Sequence, residues 1–196
     1  MNEIYSTNES LEKASDFELV EKTIDGDQSA FAEIVKRYKS KVAITINGMV
    51  GDPDDADDIC QEVFIRFYKA INSFRGDAGL GTYLTRIAIN LSLNEIKRKK
   101  VKRFLSFEKI ADEGSDLIDK SSNTNAGDNK EIVQMAIQKL DSEYRSVLVL
   151  RLMDNFSTEE TAKILDLPIG TVLSRLSRAQ IKLKEYLKPY FPDYEN

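Results

Sequence analysis

The chain has 196 residues, 41% hydrophobic and 31% charged, enough for one ordinary domain or two small ones with a highly charged surface. It contains no histidine and one cysteine, Cys60, which excludes a Ser–His–Asp triad, a histidine general base, a histidine or multi-cysteine zinc site and an internal disulfide. All-carboxylate cation ligation stays open. The net charge of −5 argues against a free-standing nucleic-acid binder, so any such role must rest on a local patch or on a partner.

That charge is unevenly spread: residues 1–96 carry a net −7, KRKKVKR at 97–103 a net +6, 104–130 a net −3 and 131–196 a net −1. The basic run is either a phosphate contact or a solvated helix end, where the macrodipole favours cations. No stretch is apolar enough to span a bilayer, and the polar, acidic N-terminus has no apolar signal core, so a cytoplasmic protein is expected.

In chain order, Phe17, Val20 and Ile24 recur at helical spacing and Gly26 marks a stop. Ser29 is placed to cap a helix whose apolar stripe is Phe31, Ile34, Val35 and Tyr38. Asp52-Pro53 is a cap-plus-first-turn pair. The next helix carries Ile59, Val63, Phe67 and Ile71 at steps of four, with Cys60 a packed thiol beside them and Asp54, Asp57, Asp58, Gln61 and Glu62 on the other face. FRGDAGLG at 74–81 breaks the pattern with three glycines, and a long helix resumes near Thr82 and runs into the basic stretch.

Residues 106–130 are rich in Ser, Asp, Asn and Gly and read as a tether. The expected organisation is therefore all-α: a helical lobe at 14–104, an acidic flexible linker at 105–130 and a second helical lobe at 131–190. In the second lobe, Leu140 to Met153 forms a helix. STEE at 157–160 is a capping box, with Ser157 capping and Glu160 reaching back. DLPIG at 166–170 breaks the helix it opens, and another starts near Thr171 with Val172, Leu176, Ala179 and Leu183 inward. Helix, short turn and helix make a helix-turn-helix, whose exposed Leu173, Ser174, Arg175, Ser177, Arg178 and Lys182 suit phosphates or base edges. A helical hairpin without a DNA role has the same pattern.

Together the two lobes resemble a bacterial RNA polymerase sigma factor of the extracytoplasmic-function (ECF) class, over about 14–188. DADDICQEVFIRFYKA (55–70) resembles the family helix that docks on the polymerase clamp. FRGDAGLGTYLTRIAINLSLNEIKRKK (74–100) resembles the segment that melts and reads the −10 element, and 140–183 the domain that reads the −35 element. The resemblance implies that Asp57, Asp58, Gln61, Glu62 and Phe64 face core RNA polymerase. It implies that Phe74, Arg75, Tyr83, Arg86, Asn90, Lys97, Arg98, Lys99, Lys100 and Arg103 handle the −10 region, with a base flipped into the 74–81 loop. Thr171, Ser174, Arg175, Ser177, Arg178 and Lys182 would meet the −35 element. Two departures stand out: Tyr83 occupies a position usually tryptophan, and Leu173 and Ser177 replace residues that are often basic, histidine or aromatic.

The implied protein is a non-enzymatic promoter-specificity subunit. Its partners would be core RNA polymerase, promoter DNA and an anti-sigma factor, with no cofactor, metal or small-molecule substrate. A stand-alone helix-turn-helix regulator would use 157–183 and leave 55–100 without a role. A carboxylate-metal hydrolase built on the Asp52–Glu62 cluster lacks a basic catalytic partner.

Overall fold

The computed structural model describes residues 10–76, 78–111 and 129–192, with side chains to 105 in the second stretch. Among them all regular structure is helical. Helix α1 spans Asp16–Ile24, closed at its start by a capping box between Ser15 and Glu18. Helix α2, Gln28–Val50, is capped by Asp27 rather than Ser29: the Asp27 carboxylate accepts from the Ser29 and Ala30 amides. An aspartate one position before the first turn reaches those amides, whereas Ser29 already lies inside the helix. Helix α3, Pro53–Ala70, starts at the Asp52 cap and ends in a 3-10 turn, Ile71–Ser73.

Helix α4 runs Leu80–Ala111, past the lobe boundary expected at 104. Of the expected linker 105–130, residues 112–128 lie outside the described residues. Helices α5, Asn129–Gln138, and α6, Ser142–Leu148, follow; α6 runs on as a π-helical turn, Val149–Met153, so the expected 140–153 helix is a composite. Helix α7, Thr158–Leu165, opens on the Ser157–Glu160 capping box and closes on Asp166 at φ 53°. Helix α8, Ile169–Leu187, begins two residues earlier than its apolar pattern indicates.

The α3 stripe is core: Ile59, Cys60, Val63, Phe67 and Ile71 pack with Leu19, Ile34, Ile46, Leu80 and Leu84. Burial pushes the Cys60 thiol pKa up and leaves it protonated. Phe17 and Ile24 depart from the helical-stripe expectation; both are exposed, because α1 seats on α2 through Leu19, Val20 and Thr23. Arg37 ties the preceding turn down by donating to the carbonyls of Leu11, Glu12 and Ala14.

The lobes do not stand apart. Met49 and Ile89 of the first share one buried cluster with Val149, Leu150, Phe156 and Ile164 of the second, with Leu93, Ile96, Met153 and Leu165 at its edge. Helix α2 packs on α5, α6 and the π turn, and α4 packs on α7.

Candidate nucleic-acid interface

Three surfaces carry the residues picked out in the sequence. The first is the outer face of α3, where Asp57, Asp58 and Gln61 are exposed and Glu62, half-buried, pairs with Arg66 at 2.7 Å. Phe64 is not part of it. Only 6% exposed, it belongs to the lobe core, since it lies one residue from Val63 and three from Phe67 on the buried side. The expected clamp-facing aromatic is therefore a strut beneath the acidic face. Tyr68 is the exposed ring on this helix, set edge-on to Phe31 with centroids 4.9 Å apart.

The second surface lies along α4 and the loop before it. Phe74 and Tyr83 are half-buried and pack edge-to-face at 5.2 Å, both resting on the buried Phe67 ring at 6.2 and 6.0 Å. One edge of each ring is held by the core while the rest borders the loop. Gly76 sits at φ 73°, a conformation side chains resist, which turns the loop back toward α4. Gly81 has its own cause: a Cβ there would come within 3.0 Å of the Tyr38 ring. Asp77 of this loop lies outside the described residues.

At about 100° per residue, Arg86, Asn90, Lys97 and Lys100 fall within an arc of about 80°. All four are exposed, as are Arg75 and Arg103. Two of the expected phosphate contacts behave differently. Lys99 is bound to Asp55 and, at 3.2 Å, to Asp52, both on or beside the first turn of α3; these contacts raise its pKa. Arg98 is held in a two-pronged contact by Glu95 at 2.8 Å. Both lie on the flanks of α4 rather than on the stripe, where carboxylates of the same lobe reach them first.

The third surface is α8. Thr171, Ser174, Arg175, Arg178 and Lys182 project within an arc of about 100°, while Val172, Leu176, Ala179 and Leu183 take the inner side. Ser177 lies beside that arc. Ser174, Ser177 and Arg178 are exposed and Thr171 and Arg175 half-exposed. Acidic residues around the start of α6 hold the two basic ends of the row: Arg175 pairs with Glu143 at 2.8 Å and Lys182 with Asp141 at 3.1 Å, with the Lys182 ammonium 5.1 Å from the Tyr144 ring centre. The Ser174 hydroxyl donates to the Thr171 carbonyl at 3.0 Å. Arg178 carries no such tether among the described residues.

Among the described residues, no group of three or more Cys, Asp or Glu side chains is placed to hold a metal ion. No helix among them is long and apolar enough to cross a membrane.

The polar side chains that join the lobes were not picked out from sequence. Gln134, Gln138 and Arg145 of the second lobe donate to the last carbonyls of α2, on Asn47, Gly48 and Met49, at 2.8, 2.9 and 2.6 Å. Thr45 donates to Asp154 at 2.7 Å, and the Lys41 ammonium stands 4.5 Å above the Phe156 ring. One signal was available: Gly48 interrupts a helical pattern, and an interior glycine marks either a penalty or a close approach.

Comparison with known proteins places these surfaces in a family context. The family model described as Sigma-70 region 2 matches residues 34–101, and that described as Sigma-70, region 4 matches 130–183. The chain is 36% identical over 171 residues to the ECF RNA polymerase sigma factor SigW of Bacillus subtilis, covering 83% of this chain and 91% of that protein. It is 35% identical over 186 residues to the ECF RNA polymerase sigma-E factor of Escherichia coli, covering 91% and 97%. The fold resembles CnrH, solved in complex with the cytosolic domain of CnrY, at a TM-score of 0.64 and 24% identity over 89% of this chain and 97% of that one. It also resembles the sigma factor RpoE from Bartonella quintana, solved with the anti-sigma factor NepR, at 0.60 and 23% over 81% and 96%.

Proposed function

We propose how the three surfaces divide the work of initiation, from the premise that this chain belongs to the ECF class of RNA polymerase sigma factors, to which its near full-length relatives also belong. It binds core RNA polymerase and directs promoter recognition, strand opening and the start of transcription. The observation that carries the division is geometric: exposed groups of one chemistry share one helix face on each of α3, α4 and α8.

On α3, Asp57, Asp58 and Gln61 meet a basic helical surface of the polymerase clamp, and Glu62 joins them by releasing Arg66. Phe64 keeps α3 in register from below. Rim charges of this kind set partner choice and association rate more than total affinity. On α4, Arg86, Lys97 and Lys100 take promoter phosphates, with Arg75 and Arg103 at the two ends, and Asn90 supplies a donor and an acceptor for a base edge. The half-open Phe74–Tyr83 pair forms one wall for a base leaving the stack in the 74–81 loop. Lys99 and Arg98 act at one remove, Lys99 by bracing α4 against α3.

On α8, Arg178 is the free reader and Arg175 becomes one when Glu143 lets go; a bidentate arginine contributes about 1–3 kcal/mol of discrimination between bases. Thr171, Ser174 and Ser177 contribute phosphate contacts, and Lys182 a cation at the far end of the row. The protein carries no catalysis of its own, works in the cytoplasm and is held in reserve by an anti-sigma factor. A stand-alone regulator would leave the acidic face of α3 and the whole α4 stripe without a task.

The test is to mix the purified chain with core polymerase, measure complex formation by gel filtration and run transcription from a supercoiled promoter library. A stable complex and new initiation sites are expected. No complex and no new sites would reject the proposal.

A further inference from the structure

The first turns of α8 carry features that the fold itself does not use. Ile169 and Leu173 stand one turn apart, so their side chains are neighbours on the helix surface, and they are 48% and 53% exposed. The core of the second lobe takes Val172 and Leu176 from the same stretch instead. Gly170 lies between the two exposed aliphatics. It sits inside the helix without a positive φ, and a Cβ on it would meet nothing within 4 Å among the described residues. Gly48 and Gly81 differ: a Cβ there would stand 2.9 Å from Val149 and 3.0 Å from Tyr38. Glycine weakens a helix interior relative to alanine, so neither backbone conformation nor packing within the chain accounts for Gly170. The other use of a missing side chain is to let the backbone come close to something outside the chain.

The polar groups of these turns reach less far than Leu173. Ser174 and Ser177 are short, and the Ser174 hydroxyl already donates to the Thr171 carbonyl at 3.0 Å. Arg175 is held by Glu143 at 2.8 Å. Arg178 lies five residues beyond Leu173, about 7.5 Å along the helix axis. The beginning of a reading helix is the part that meets base edges, and here that part presents hydrocarbon. In the major groove one base answers with hydrocarbon, thymine, through its C5 methyl group. Cytosine offers an amino donor at its edge, and adenine and guanine offer ring and exocyclic polar atoms. An aliphatic side chain pressed against those would strip their water and return no hydrogen bond.

We propose that Leu173, backed by Ile169 and admitted by the bare backbone of Gly170, is a specificity-determining residue that selects a thymine of the −35 element through its methyl group. This rests on the sigma-factor reading for the DNA that α8 meets. The 7.5 Å to Arg178 is about two base-pair steps of ~3.4 Å. The thymine therefore falls about two base pairs from the guanine that suits a bidentate Arg178. Covering one methyl group is worth about fourfold in affinity.

The test uses holoenzyme assembled from core polymerase and the full chain. Promoter duplexes randomised across the −35 segment are selected for binding, and each thymine of the selected sequence is then exchanged for deoxyuridine, which differs only in lacking the methyl. The parent should lose about fourfold in affinity at one thymine, about two base pairs from the guanine preference that Arg178→Ala abolishes. Leu173→Ala should be indifferent to that exchange, with unchanged helical content by circular dichroism, unchanged core binding and an unchanged dependence on salt. Leu173→Arg should move the selected base at that position from thymine to guanine. Gly170→Ala should raise the melting temperature yet weaken promoter binding several-fold, because the added methyl meets nothing in the chain but stands where the DNA approaches. Affinity indifferent to deoxyuridine at every thymine in the parent, or equal losses in the parent and Leu173→Ala, would overturn the proposal. Failure of every form to bind core would refute the sigma-factor reading instead, and selection and exchange with the free chain on the same duplexes at low salt would then decide the methyl contact by the same two criteria.

Discussion

Acidification should tighten the seam between the lobes, where α2 meets α5, α6 and the π turn, through Asp154. Burial pushes its pKa up from 3.8 to about 6, against the smaller opposing effects of the Thr45 hydroxyl and the Lys41 ammonium, both on α2. In the open form, with the lobes apart, the same carboxyl meets water and returns to about 3.9. The closed form therefore holds the proton more tightly, so the closure gained from it is full below the open-form value and is lost as pH rises through about 6. Between pH 5 and pH 7 the closed-form proton binding falls about tenfold while the open form barely changes, which amounts to about 1.4 kcal/mol in the closed-to-open ratio. Interlobe distance distributions at pH 5, 6, 7 and 8 read this directly, with Asp154→Asn as the reference. The ratio should fall about tenfold from pH 5 to pH 7 in the parent and stay level in the variant. A level parent, or an equal slope in Asp154→Asn, would refute the assignment of this carboxyl to the seam.

Other outcomes follow from the same geometry. Phe64→Ala should cost about 3–5 kcal/mol in chemical denaturation, since it empties a core position rather than an exposed contact. The triple change Asp57→Ala, Asp58→Ala and Gln61→Ala should leave that stability within about 0.5 kcal/mol while weakening core binding. Lys97→Ala with Lys100→Ala should lower the steepness of the log affinity against log salt plot for holoenzyme on a promoter by about two units, whereas Lys99→Ala should change it little and destabilise the first lobe instead. Arg178→Ala should cost about 1–3 kcal/mol on the best −35 sequence and less on altered ones, as a binding titration across variants would show.

The helices, two of their caps and the inward stripe of α3 were legible because each depends on neighbours within a few residues: Ser157 with Glu160, Asp52 with Pro53, Ile59 with Val63; the cap of α2 was misplaced by two residues, on Ser29 instead of Asp27. Arg86, Asn90, Lys97 and Lys100 were named through the family resemblance, in one set with Arg98 and Lys99, and the helical arc that separates them was not drawn from the sequence. What local pattern does not encode is which polar side chain another element claims first. Lys99 looks like its neighbours in KRKKVKR, yet the turn of α3 brings Asp52 and Asp55 to it. Phe64 reads as an anchor only while the width of the α3 core face is unknown. The seam was hidden for the same reason: Arg145 and Gln138 look like ordinary helix-surface residues until the end of α2 arrives from some 90 residues away in the chain.

The most direct measurement of the central claim is to sequence the 5′ ends of transcripts made by core polymerase on total genomic DNA with and without this chain. A discrete set of new start sites sharing upstream sequence at two separated positions, lost when Arg178 and Asn90 are both changed to alanine, is the outcome expected. Transcript ends indistinguishable from those of core alone would contradict it.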